Sequence, residues 1–172
     1  RAAGKCLAPC FERLAESLAM LAARQRDMLL EAIARSAEEL LRTSDMTRSI
    51  PKMLEDIGHA ANLDRVHLLS VDPGAIGVGR IIGHHWWSAA GITPPAMFHD
   101  ARDRTMVEVG LVSWLPRLMA GEIITGHVRN FEEPVRKFFE FGGIKSTVAV
   151  PVLVEGRWWG FIGFDACRCE RE

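Results

Sequence analysis

The chain has 172 residues, 48% of them hydrophobic and 25% charged, with a formal net charge of −1. That is enough for one domain with a proper core. A charge near zero excludes the long-range field that gathers nucleic acid or an acidic membrane surface, and no apolar run approaches the roughly 18 residues that span a bilayer. Arg13, Glu16 and Arg24 interrupt the N-terminal region, so it carries no secretory apolar stretch. The expectation is a cytoplasmic segment that binds no nucleic acid and makes no membrane contact of its own.

Residues 5–42 read as one helix. Leu7, Phe11, Leu14, Leu18, Leu21, Gln25, Met28 and Ala32 recur in alternating steps of four and three, the seam of a coiled coil. The frame fails at Arg35 and Glu39, and a shifted stripe through Leu29, Ile33, Ser36 and Leu40 takes over, as at a stutter. An amphipathic helix this long outruns one small core, which predicts a parallel homodimer through it; the alternative is a helix packed on its own domain. Thr43, Ser44 and Asp45 break it. A second helix is expected over 47–62, with Ile50, Leu54, Ile57 and Ala61 on one face, Pro51 in its first turn and Asn62 closing it. The boundary between a dimerisation helix (1–44) and a globular domain (45–172) falls here.

After residue 64 the period changes to two. Arg65–Val71 and Arg80–Trp87 read as strands around the turn signal Asp72-Pro73-Gly74. Residues 88–110 are irregular. A short helix follows at 113–120, then a strand over Glu122–Val128, a helix over 131–141 stopped by Gly142-Gly143, and a hairpin of Ile144–Val154 and Arg157–Asp165 across Glu155-Gly156. Strands segregated from helices in this way indicate α+β architecture around an antiparallel sheet.

The hairpin carries most of the functional information. Strict alternation puts Thr147, Ala149, Trp159, Phe161, Gly163 and Asp165 on one face, and Ser146, Val148, Val150, Val152, Trp158, Ile162 and Phe164 on the other. The second set is plain core. The first mixes small residues, two polar groups and aromatics, the composition of a small-molecule pocket. The large apolar residues expected to close it are Trp86, Phe98, Trp114, Leu118 and Phe139, with Asp165 orienting the ligand. The competing account is that Gly163 only lets another element approach and that Asp165 pairs with an arginine. His84 and His85 are adjacent and point to opposite faces, which argues against a shared metal. Cys6/Cys10 and Cys167/Cys169 lack the Cys-x-x-Cys spacing of zinc sites, so no metal and no cofactor are expected. No nucleophile elbow, P-loop, His-Glu-x-x-His or dinucleotide fingerprint is present, which points to a binding module and away from an enzyme.

The run His85-Trp86-Trp87-Ser88-Ala89-Ala90-Gly91-Ile92 resembles the tryptophan-containing strand and loop of bacterial GAF domains. Trp114-Leu115-Pro116-Arg117-Leu118 with Gly121-Glu122-Ile123-Ile124, Gly143-Ile144-Lys145-Ser146 through Val150-Pro151-Val152, and Gly160-Phe161-Ile162-Gly163-Phe164-Asp165 resemble their later segments in order. The resemblance covers about 47–170. It implies an α+β GAF-like fold with a five- to six-stranded antiparallel sheet, helices on both faces, and a long helix in front. It further implies a sensory module that relays occupancy by an unidentified small molecule to a C-terminal output domain, such as a histidine kinase or diguanylate cyclase. The chain departs from the bilin-attaching, cyclic-nucleotide and methionine-sulfoxide-reductase branches. Alternatives are a structural dimerisation domain with a collapsed pocket, and a redox enzyme using Cys167 or Cys169.

Overall fold

The computed structural model describes residues 3–42, 46–74, 78–93 and 101–171; the side chains of 3–12, 14, 15, 40, 41, 46 and 47 are outside the description. Five antiparallel strands form one sheet: β1 (Arg65–Asp72), β2 (Arg80–Ser88), β3 (Ile124–His127), β4 (Ser146–Val154) and β5 (Arg157–Ala166), in the order β2-β1-β5-β4-β3. The strands agree with the sequence reading to within two residues, and the strand count is the lower of the two expected. Glu155 (φ 50°) and Gly156 (φ 75°) make the tight turn of the β4–β5 hairpin, both with the positive φ that matches the twist of its strands.

Two helices lie on one side of the sheet: α1 (Ala3–Arg42) and α2 (Met46–Ala60). Asn62 stops α2 in the left-handed conformation (φ 50°), while the Leu63 amide reaches back to the Gly58 carbonyl. Ile50 and Leu54 of α2 pack on Val66 and Leu68, so α2 rests on β1 and β2. α1 runs back along α2 and buries Ala32 and Ser36 against it, with Leu29 half-buried. The predicted seam is therefore divided. Its C-terminal end, at Ala32, is satisfied within the chain. Leu18 and Leu21, on the same helix face but beyond the end of α2, are 58% and 60% exposed. Ile33, expected on the inner stripe, is 46% exposed. Leu7, Phe11, Leu14 and Leu40 lie outside the described side chains.

The opposite side of the sheet is covered by shorter pieces: residues 101–111, a 3-10 turn at Val112–Trp114, α3 (Leu115–Met119), a second 3-10 turn at Val128–Asn130 and α4 (Val135–Phe141). Residues 103–105 are laced to β2, with Ile81 donating to the Arg104 carbonyl and Asp103 to the Ile81 carbonyl. Met106, Val109, Leu111, Trp114, Leu118, Val135 and Phe139 descend from this cover onto Leu69, Ile81, Ala149 and Phe161, forming the larger core cluster.

Candidate functional site

The β4–β5 register fixes which hairpin residues share a face. Thr147 stands opposite Asp165, Ala149 opposite Gly163 and Pro151 opposite Phe161. Thr147, Ala149, Phe161, Gly163 and Asp165 therefore share the covered face, as alternation predicts. Trp159 does not. Val152 pairs with Gly160 but Leu153 with Trp158, so Trp159 is the extra residue of a bulge. The bulge reverses the two tryptophans: Trp159 packs with Leu54 and Val66 on the α2 side, and Trp158 packs against the larger cluster. Of the predicted closing residues, Trp114, Leu118 and Phe139 sit over this face, with the Trp114 and Phe139 rings 5.1 Å apart. Trp86 pairs with His67 on β1 and shares its face, half-buried. Phe98 lies outside the described residues.

β1 completes the site, and sequence reading passed it over. Its covered face carries Arg65, His67 and Leu69, opposite Asp165, Gly163 and Phe161 of β5. Arg65, Asp165 and Thr147 form a row across three adjacent strands. Thr147 Oγ1 donates to Asp165 Oδ1 at 2.7 Å. The other oxygen, Oδ2, faces His67 Nδ1 at 3.4 Å and Arg65 Nη1 at 3.9 Å. Arg65 Nη2 also donates to the Gly142 carbonyl at 3.3 Å. Arg65 and Asp165 are 1% and 0% exposed, so the pair is wholly desolvated, and such charges are tolerable only with partners of this kind.

Two observations bear on the expected roles of Asp165 and Gly163. Asp165 is engaged by an arginine, a histidine and a threonine of its own chain, which is the competing account of that residue. Gly163 does not open ligand volume either: a Cβ there would lie 2.2 Å from the His67 ring, so the absent side chain is replaced by an imidazole from the neighbouring strand.

Among the described residues, a cavity of about 10 Å³ lies under this cover, lined by His67, Leu69, Ile81, His84, Ala101, Val109, Leu111, Phe138, Phe139 and Phe161. That is room for a single water. Phe139 and Phe161 were predicted there; Thr147, Ala149, Trp114 and Leu118 lie in the surrounding core. The two imidazoles are the polar part of the lining, their ring centroids 6.3 Å apart. His84 stands beside Leu69 in the sheet, a pairing between segments that local spacing does not reveal.

Behind the site, Asp64 anchors the chain as it leaves β5. Its Oδ2 accepts from the amides of Cys167 (2.7 Å) and Arg168 (2.9 Å), and its Oδ1 pairs with the Arg168 guanidinium. Burial pushes the Asp64 carboxyl upward, but these amides and Arg168 outweigh it and hold the group below its ordinary value. Burial pushes the Cys167 thiol up to about 11. Such a thiol is protonated at neutral pH and is a weak nucleophile. Among the described residues no three His, Cys, Asp or Glu side chains gather as a metal set, and no helix is long and apolar enough to cross a membrane.

Comparison with known proteins identifies the fold. The phycocyanobilin-bound GAF domain of a cyanobacterial phytochrome superposes with a TM-score of 0.65 at 12% identity, over 84% of this chain and 82% of that one. A domain of a putative two-component sensor histidine kinase from Sinorhizobium meliloti 1021 gives 0.51 at 19% identity, over 76% and 79%. The methanogenesis regulatory histidine kinase FilI of Methanothrix harundinacea is 29% identical over 150 residues, 86% of this chain but 16% of that protein. The chain thus spans about a sixth of that relative's length. No family model matches. The fold is the GAF fold.

Proposed function

We propose that the chain is the sensory GAF module of a larger signal-transduction protein, built to bind a small molecule and to pass its occupancy through helices to a linked output domain. The observation that carries this reading is the 150-residue match to a segment of a regulatory histidine kinase, together with a fold shared with sensor domains. Fold alone does not fix function, so the site supplies the rest. Two imidazoles stand in an aromatic and aliphatic lining beneath short covering segments, a few oriented polar groups in an apolar pocket.

The superposed phytochrome domain holds phycocyanobilin. A cavity of about 10 Å³ has no room for a molecule of that size. In this reading a ligand enters by displacing part of the cover, residues 101–111 or α4, and binding selects the opened state. That movement is the signal: α4 is joined to β4 by a short connection, and β5 runs directly into the segment held by Asp64. The dimer is formed by α1 pairing in parallel with a second copy. Leu18 and Leu21, exposed on a helix about 60 Å long, support it.

The small cavity also favours a second reading, a structural dimerisation domain with a collapsed pocket. Thermal denaturation across a library of small metabolites separates the two. The sensor reading expects at least one compound to raise the midpoint in wild type and to do so less in a variant of the cavity lining. A redox role through Cys167 is disfavoured by its burial, which holds the thiol protonated; the exposed Cys169 has no such burial. Alkylation of Cys167 near neutral pH should be slow relative to a free thiol in solution; fast labelling there would revive that role.

A further inference from the structure

Residues 101–111 and α4 both roof the cavity, and they are fastened differently. The 101–111 segment lends Ala101, Val109 and Leu111 to the lining and buries Met106 beside them. It is tied to β2 and the turn before it through the backbone. Ile81 donates to the Arg104 carbonyl at 2.8 Å, Asp103 to the Ile81 carbonyl at 2.8 Å, and Met106 to the Gly79 carbonyl at 2.7 Å. The Arg80 guanidinium adds a bond to the Asp103 carbonyl at 2.9 Å. α4 lends Phe138 and Phe139. Its backbone bonds are local: Phe138 donates to the Pro134 carbonyl, Gly142 to that of Phe138 and Ile144 to that of Phe139. Its ion pairs are local as well, Arg136 with Glu133 and Glu140, and Lys137 with Glu133. Among the described residues, no backbone hydrogen bond joins 134–143 to the sheet. The side-chain bond across that gap comes from Arg65 of β1, whose Nη2 donates to the Gly142 carbonyl at 3.3 Å.

We infer that the cavity opens by α4 lifting from the sheet while 101–111 stays in place, and that Arg65 is the latch that holds α4 shut. The inference rests on the proposed reading of the cavity as a ligand site. Lifting α4 uncovers the buried Val135 and Phe139, whereas lifting the other piece uncovers Ala101, Met106, Val109 and Leu111 and breaks its backbone bonds too. A helix of 7 residues has no stability away from the surface it packs on, so α4 leaves by unravelling. Gly143, just past its end, supplies the pivot: its φ is 67°, and a Cβ there would meet nothing within 4 Å. Phe138 and Phe139 move with the helix, and the space they leave joins the cavity beside His67 and His84. Arg65 holds the lid and the floor of the site at once. Its Nη1 faces Asp165 Oδ2 at 3.9 Å, and the same oxygen faces His67 Nδ1 at 3.4 Å. A ligand bonded to His67 therefore acts on the lid through one shared carboxylate.

Amide hydrogen exchange on the full chain, read residue by residue by NMR, tests this with no ligand present. The amides compared are all hydrogen-bonded in the closed form, so their protection factors report opening. Phe138, Gly142 and Ile144 report on α4, and Ile81, Asp103 and Met106 on the attachment of 101–111. In wild type the α4 amides should be less protected by about tenfold or more. Arg65→Lys keeps a cation beside Asp165 but loses the fork that reaches a second acceptor. It should lower protection of the α4 amides by about a further tenfold and leave the other set unchanged, whereas a merely structural role would lower both sets together. Wild-type α4 amides as protected as those of Ile81, Asp103 and Met106 would overturn the lid and leave the sensor reading standing, with entry beneath 101–111. Uniform loss of protection in Arg65→Lys, or a variant without native circular dichroism, would overturn the latch, and the wild-type order would still decide the lid.

Discussion

His67 fills the place where a side chain on Gly163 would stand, and this single substitution of one residue's volume by another decides what the site can hold. Gly163→Ala should overpack the β1–β5 junction and cost about 1–3 kcal/mol, measured by urea denaturation. The loss should shrink in a His67→Ala background; an equal loss in both backgrounds would mean that the imidazole is not the obstacle. Asp165→Asn removes the charge facing Arg65 and His67 at a fully buried position, so a loss of about 3–5 kcal/mol is expected. A near-neutral result would show the cluster to be solvated. Asp64 carries a pH signature. Its carboxyl pKa is lowered on folding, so its contribution is present above the unfolded carboxylate value near 4 and is lost as pH falls through the folded value. Asp64→Asn should therefore lower stability at neutral pH and flatten the decline below about pH 4; an unchanged acid limb would contradict it. The faces of Thr147, Ala149, Phe161, Gly163 and Asp165 were legible because alternation is local. His67 and Arg65 were not, because they meet Gly163 and Asp165 through pairing of strands nearly a hundred residues apart. Trp159 was misplaced because a bulge leaves no mark in a pattern that is apolar on both sides.

At the scale of elements, the heptad reading of α1 found the right helix, with its seam packed on α2 at Ala32 and exposed at Leu18 and Leu21. Period alone cannot say where α2 ends, and that end, at Ala60, divides the part of the seam used within the chain from the part left exposed. Deleting residues 1–24 should therefore leave a folded domain of nearly wild-type stability that lacks the proposed dimer. Deleting through Arg42 should also destabilise it, since the face of α2 that covers Ala32 and Ser36 becomes exposed. Light scattering and urea denaturation on the two truncations measure both effects, and a dimer surviving removal of 1–24 would exclude this part of the helix as the contact. The third strand and the helix after it are shorter than the sequence suggested. The chain turns through a 3-10 segment at Val128–Asn130, and Pro134, which lacks an amide hydrogen, stands just before α4.

For the whole molecule, order of motifs was enough to reach the GAF fold, because turn signals and the closing hairpin fix the sheet. The ligand was beyond reach, since the cavity is made by residues from β1, β2, β5, the 101–111 segment and α4, which no local spacing groups together. The account stands on that cavity being a sensor site that opens. The direct measurement is the thermal midpoint of wild type and of His84→Leu, which removes an imidazole from the lining, across a library of small metabolites. The account predicts a compound that raises the wild-type midpoint and raises that of His84→Leu distinctly less. A compound that stabilises both equally would place binding elsewhere, and a broad library with no stabilising compound would contradict the sensor reading in favour of a structural domain.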